Sequence, residues 1–128
     1  MNESSRISAV HKFIPKDLIK LKIRTLGNNG IPDAYYAGPK RELWIEYKQE
    51  RMPVRTTTLI TPSLSALQRD WCTKRSSFDP DSLWVVVFTL GGHFILKNRE
   101  DWGRGFWPVK HEMFRYREIA QEIERHIR

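Results

Sequence analysis

Two carboxylates and an amine stand where hydrolysis of a phosphodiester would need them. Residues 30–33 read Gly30-Ile31-Pro32-Asp33, and one short hairpin later the chain reads Glu46-Tyr47-Lys48. Side chains alternate along a strand, so Glu46 and Lys48 project from one side of residues 43–48 together with Glu42 and Trp44, while Leu43, Ile45 and Tyr47 face the other way. An antiparallel pairing of residues 33–36 with 44–48 would set Asp33 beside Glu46, and two facing carboxylates attract a hard cation. Mg²⁺ (or Mn²⁺) takes oxygen ligands and keeps several waters, so Asp33, Glu46, the Tyr47 carbonyl and a phosphate oxygen make a sufficient set. Such an ion polarises the phosphoryl oxygen and acidifies water, and Lys48 would orient the attacking hydroxide and neutralise charge on phosphorus.

Each piece alone has a plainer use. A Glu-x-Lys on a strand is commonly a solvated ion pair, and Gly-x-Pro-Asp is an ordinary turn sequence. The combination is what points to chemistry: both motifs, in this order, one hairpin apart, with a Gln-bearing helix next.

Together these residues resemble the PD-(D/E)XK nuclease superfamily and, within it, the small VRR-Nuc proteins of phages and bacteria. Members read as a Lys on an early strand, a Gly-hydrophobic-Pro-Asp, a strand ending in Glu-x-Lys, and Leu-Ser-x-Leu-Gln opening a helix. This chain has Lys22, Gly30-Ile31-Pro32-Asp33, Leu43-Trp44-Ile45-Glu46-Tyr47-Lys48 and Leu64-Ser65-Ala66-Leu67-Gln68. The resemblance covers residues 1–97 and implies that Asp33 and Glu46 bind the divalent ion, that Lys48 is catalytic and that Gln68 supports the site. Relatives often add a Glu on the first helix as a further metal or water ligand. Glu3, which opens the expected first helix, is the better candidate here, the other acidic residue before the first strand being Asp17. Gln68 has a second, compatible reading: Ser65 and Gln68 have the spacing of a capping box.

The whole chain agrees with such a protein. Its 128 residues suffice for one domain with one core, and 40% hydrophobic with 12% aromatic residues is a globular composition. A net charge of +7 and a pI near 9.8 favour polyanionic partners, DNA among them. The single Cys72 excludes an internal disulfide framework, and no Cys or His cluster has zinc-site spacing. The longest apolar run, residues 83–90, is too short to span a membrane, and no apolar signal core opens the chain, so a cytoplasmic protein is expected, in the host's cytoplasm if phage-encoded.

The elements that must position these residues are legible in outline. A helix capped by Ser4 or Ser5 is expected to run to Phe13 with Ile7, Val10 and Ile14 inward. Ile19, Leu21 and Ile23 alternate with Lys20, Lys22 and Arg24, a half-buried strand whose basic face would track phosphates. Turns follow at residues 27–30 and 38–41, and residues 49–62 form a long loop whose Arg51 and Arg55 would lie along a nucleic-acid backbone. The next helix turns Leu64, Leu67 and Trp71 inward and leaves Arg69 for DNA. Residues 83–90 have the apolar, β-branched character of a central strand covered on both faces, and residues 93–96 of a last strand. Residues 102–107 gather two Trp, a Phe and an Arg among glycines, able to stack on bases or to fold back on the core. A closing helix over residues 112–127 shows Met113, Tyr116, Ala120, Ile123 and Ile127 on one face, which packs on the domain or on a second copy.

This order predicts an α/β (α+β) domain over residues 1–128 with a restriction-endonuclease-like core, a central mixed β-sheet flanked by helices, and residues 98–128 appended to it. The expected activity is divalent-metal-dependent endodeoxyribonuclease, selective for branched DNA such as a Holliday junction, acting as a homodimer because paired cuts need two sites. A sequence-specific endonuclease of homing or restriction type, reading bases through residues 51–58 or 102–107, and a non-catalytic DNA-binding module are the alternatives.

Overall fold

The computed structural model of the chain describes residues 1–24 and 29–128, so the expected turn at residues 27–30 lies partly outside the described residues. Helix α1 (Glu3–His11) is capped by Asn2, whose side chain accepts the Ser5 amide at 2.8 Å. The cap is thus two residues earlier than Ser4, and Glu3 becomes the first helical residue. Strands β1 (Ile19–Lys22), β2 (Ala34–Ala37) and β3 (Glu42–Gln49) form an antiparallel meander. Helix α2 (Ala66–Phe78) carries the chain across to β4 (Leu83–Phe88), which pairs parallel with β3, and β5 (His93–Leu96) returns antiparallel to β4. The sheet order is β1-β2-β3-β4-β5, so the middle strand is β3, not β4. A short helix α3 (Arg99–Gly103) and the closing helix α4 (Tyr116–Ile127) complete the chain.

Alternation along the strands builds a core on each face of the sheet. Leu43, Ile45 and Tyr47 of β3 and Trp84, Val86 and Phe88 of β4 pack against α1 and α4. Leu83, Val85 and Val87 pack on the opposite face with Cys72 of α2, Trp102 of α3 and Phe106. With both faces covered β4 is buried throughout, as its unbroken apolar run requires. Helix α4 turns Ile119, Ala120, Ile123 and Ile127 onto the first of these cores, so this stripe is spent within the chain; Met113 precedes the helix and is about half exposed. Trp102 and Phe106 fold back onto the second core and Phe106 bridges to Ile60, leaving only Trp107 of this aromatic segment partly exposed.

Strand β1 departs from the expected pattern. Ile19 and Leu21 are 53% and 51% exposed, while Lys20 and Lys22 are partly buried. The register explains the inversion: Lys20 and Lys22 stand opposite Tyr36 and Ala34, whose face is the one α1 covers. Their stems lie over that core while the ammonium groups reach polar atoms of α1, the Lys20 Nζ bonding the His11 carbonyl at 2.7 Å and the Lys22 Nζ bonding the Ser4 and Ser8 hydroxyls at 2.7 and 3.0 Å. The basic face is therefore a clasp between β1 and α1.

One glycine sets how the loop before β2 meets α2. Gly30 has φ +80, and a Cβ there would stand 2.3 Å from the Leu67 carbonyl oxygen and 2.9 Å from the Gln68 nitrogen. Bare backbone at residue 30 is what lets the Ile31-Pro32-Asp33 segment seat on the first turn of α2. Gly30→Ala combines a disfavoured φ with this overlap and should destabilise the fold by about 2 kcal/mol or more, read as a lowered urea midpoint. An unchanged midpoint would show that the loop and α2 can part freely.

Candidate active site

The site begins where a strand pairing fails. The β2–β3 ladder ends with Ala34 opposite Ile45; continued, it would set Asp33 opposite Glu46 and Pro32 opposite Tyr47. Proline has no N–H to offer and favours a turn, and the Gly30 contact leads the chain away onto α2. The paired segment is accordingly residues 34–37 with 42–45, nearer the hairpin than expected. Beyond it, β3 presents a free edge, and carboxylates occupy that edge. Asp33 Oδ2 accepts the Tyr47 amide at 2.9 Å, and Glu3 Oε2, from the first turn of α1, accepts the Gln49 amide at 3.1 Å. The amide and carbonyl of one strand residue leave by the same edge, so the Tyr47 carbonyl lies on the edge these two carboxylates hold. Asp33 itself is kept in line by β1, its carbonyl accepting the Ile23 amide at 2.7 Å.

Glu46 projects from the opposite face to Leu43, Ile45 and Tyr47 and is only 1% exposed. Burial, a hydrogen bond to Asp33 and the negative charge of Asp33 push its carboxyl up to about 10, with Lys48 opposing. Glu46 Oε2 is enclosed without a hydrogen-bond partner among the described residues. Burial and the charge of Asp33 also raise Glu3 above the usual carboxylate range, again opposed by Lys48. Glu3, Asp33, Glu46 and Lys48 therefore form one electrostatic unit, assembled from α1, the start of β2 and the end of β3.

This donor set fits a hard divalent cation. A divalent cation there would satisfy the orphaned Glu46 oxygen and offset the repulsion between the carboxylates. Asp33, Glu46, the Tyr47 carbonyl and Glu3 are the oxygen donors at hand. Among the described residues no three His, Cys, Asp or Glu side chains converge into a ready cage, so water would have to complete the shell, as Mg²⁺ prefers.

Helix α2 faces this unit. The capping box is present: the Gln68 amide donates to Ser65 Oγ at 3.1 Å and Gln68 Oε1 accepts the Ser65 amide at 2.9 Å. One turn later the Cys72 thiol is pushed up to about 12 by burial and by the charges of Glu46 and Asp33, which makes it an inert packing group. Leu67, expected inward, is 48% exposed, and Cys72 takes the buried position on the helix. Lys22 and Arg24 border a crevice of about 170 Å³ that Glu3 and Asp33 also line. Arg51, Arg55 and Arg69 are exposed, Arg69 bonding the Gly103 carbonyl at 3.2 Å.

Two further groups were hidden from pattern reading. Behind the site the Tyr47 and Tyr36 hydroxyls bond at 2.7 Å, and Tyr36 bonds His11 Nε2 at 2.7 Å, pinning the stretch of β3 that carries Glu46 and Lys48. Arg6 is buried on α1. Its place one turn before Val10, on the inward stripe, was the available signal.

No family model matches the chain, and no curated protein matches it. Among solved structures it is similar to that of Archaeoglobus fulgidus Hjc, a Holliday junction resolvase from an archaeal hyperthermophile, with a TM-score of 0.53 over 94% of this chain and 97% of that chain at 13% identity. The likeness is one of fold: the mixed five-stranded sheet with helices on both faces is the architecture expected from the sequence. The narrower VRR-Nuc resemblance rests on the motif residues alone.

The raised Glu46 carboxyl has a measurable consequence in metal-free protein. The Glu46 carboxyl titrates near 4.5 in the unfolded chain and near about 10 in the fold, so the fold holds a proton that the unfolded chain has lost and stability falls as pH rises between these values. His11 and His93 are held down to about 4, mainly by burial, and oppose this trend below their ordinary 6.5. Above it, in chelator, the urea midpoint should fall steadily towards about pH 9, and Glu46→Gln, which mimics the protonated acid, should flatten the profile. A variant that keeps the wild-type slope would place the proton elsewhere.

Proposed function

We propose that this chain is a divalent-metal-dependent endodeoxyribonuclease that cuts branched DNA, Holliday junctions in particular. The observation that carries the reading is the buried Glu46 beside the partly buried Asp33, with an orphaned Glu46 oxygen among the described residues and Lys48 on the same strand face. A carboxyl pair kept only to hold a fold would satisfy its oxygens within the protein, since a buried unpaired acceptor is costly. Asp33 also lines a crevice with Glu3, Lys22 and Arg24, so one side of the pair opens to solvent.

Asp33, Glu46, the Tyr47 carbonyl and Glu3 would hold Mg²⁺ or Mn²⁺. When bound, such an ion supplies Lewis-acid polarisation of the phosphoryl group and lowers the pKa of water. Lys48 sets a fixed positive charge beside the two carboxylates, where it orients the attacking water and offsets charge growing on the phosphoryl oxygens. Gln68 keeps its amide hydrogens for a water or phosphate oxygen, because its Oε1 is committed to Ser65. Arg24 beside the crevice, with the exposed Arg51, Arg55 and Arg69, would carry the backbone of the substrate. Lys20 and Lys22, clasped to α1, would contribute to the positive field through ammonium groups already held by that helix.

The fold likeness to a Holliday junction resolvase supports a branched substrate. Symmetric resolution needs two cuts, so the active form would be a homodimer. The +7 net charge supports DNA as partner.

The test is parallel cleavage of labelled four-way junction, flap, single-stranded and linear duplex DNA, with Mg²⁺ or Mn²⁺ and with chelator. Cutting should require the metal and favour the junction. Lys48→Ala should slow it by about 10²–10³-fold while binding changes less than about tenfold, and Asp33→Asn should abolish metal-dependent cutting. Cutting by Lys48→Ala at the wild-type rate would remove Lys48 from the mechanism. Binding without cutting of any substrate would favour a non-catalytic DNA-binding module.

A further inference from the structure

Arg6 is a buried cation without an anion. It is 6% exposed and forms no ion pair among the described residues. Of its three guanidinium nitrogens only Nη1 has hydrogen-bond partners among the described residues, the Thr89 carbonyl and the Tyr116 hydroxyl, both at a long 3.4 Å; Nε is enclosed with none. The Phe88 ring, 5.8 Å from its Cζ, is a weak substitute for a counter-charge. A guanidinium offers five donors, and burying its charge unpaired is unfavourable unless something outside the protein supplies the partner.

Arg6 lines a solvent-open cavity of about 920 Å³ at the carboxyl ends of the parallel strands β3 and β4, the end of an open sheet where ligands bind. Gln49 and Thr89 follow from those strands into its wall, and Met52, Ile60 and Leu90 give it apolar surface. The Glu50 carboxylate in the wall is already taken by the Ser63 amide and hydroxyl, both at 2.8 Å. The cavity adjoins the acidic site through Gln49, whose amide is the one Glu3 holds.

We infer that this cavity receives one unpaired nucleotide of the DNA strand next to the phosphodiester held at Asp33 and Glu46. Its phosphate sits on the Arg6 guanidinium and its base lies against Met52, Ile60 and Leu90. The inference rests on the nuclease reading above and deepens it. The cavity falls within the ~300–1,000 Å³ typical of small-molecule sites, and it joins the buried Arg6 and the exposed Arg51 to apolar walls and an amide able to meet a base edge. A base within an intact duplex must first be unstacked and unpaired to enter, whereas one at a branch point has already lost part of that stability. Preference for branched DNA would then arise at the Arg6 end of the sheet rather than at the carboxylates.

The experiment uses the full chain in chelator, so that no strand is cut, with four-way junctions carrying 2-aminopurine at successive positions beside the branch. Among the described residues no aromatic ring lines the cavity, so a base that leaves its stack for these walls should brighten about threefold or more at one position. Arg6→Lys keeps the charge but not the fork; it should abolish the brightening and weaken junction binding about tenfold, with linear duplex binding changed less than about twofold. Because Arg6 is buried, Leu90→Glu at the 96% exposed rim is the second variant, expected to give the same loss with an unchanged melting temperature. If junction DNA is bound in chelator and cut once Mg²⁺ is restored but no position brightens, or if both variants bind junctions as the wild type does, the nucleotide site is overturned while the nuclease reading stands. If no DNA is bound or cut, both fall together.

Discussion

The site depends on the Tyr47 amide being held by a side chain instead of a neighbouring strand. Were β2 to continue pairing past Ala34, residues 32 and 33 would complete the ladder and the free edge of β3 would be closed. Pro32 cannot donate to such a ladder, and Gly30 lets the chain depart onto α2. A gap then opens between two strands that remain paired lower down. The backbone groups exposed by it still need partners. Asp33 and Glu3 meet that need with one oxygen each, so satisfying the edge is also what gathers carboxylates around the Tyr47 carbonyl.

Glu46 shows the cost of this arrangement. A carboxyl that is nearly inaccessible beside another carboxylate is stable only when neutral. The protein accepts this strain at one point of a sheet otherwise covered on both faces, where the core of α1 and α4 and the Tyr36–Tyr47–His11 chain hold β3 rigid. Such rigidity keeps the carboxylates from turning out to water to relieve their repulsion.

The parts of this plan that follow from period and turn chemistry were legible in the sequence. Alternation placed Glu46 opposite Tyr47 in direction, the Ser65–Gln68 spacing announced the cap, and the apolar run at residues 83–88 announced a strand with two covered faces. What failed did so because a local pattern does not say which face a neighbour covers. Strand β1 reads as apolar-in and basic-out, yet α1 lies over its lysine face and Ile19 and Leu21 are left about half exposed. Likewise β4 has the composition of a central strand but lies beside β5, since composition reports burial and not sheet order. Arg6 violates the inward stripe of α1, and a rule that treats such a residue as a surface charge overlooks it.

Net charge alone would have misplaced the basic groups that matter. Lys20 and Lys22 belong to an eye-catching alternation, but their ammonium groups are occupied by α1 and their role is to fasten the helix that delivers Glu3. Arg6, from the same helix, makes only two long contacts to protein acceptors, and its Nε is enclosed without a partner among the described residues, where β3 and β4 end. A cation held by protein acceptors has already spent its electrostatic potential within the fold, whereas one buried without an anion keeps it for whatever enters. Helix α1 therefore presents opposite charges to the two sides of Gln49: Glu3 towards the carboxylate site and Arg6 towards the cavity. That polarity suits a ligand whose charges are spaced along a backbone, with one phosphate requiring a cation of its own and its neighbour requiring a cation brought by the carboxylates.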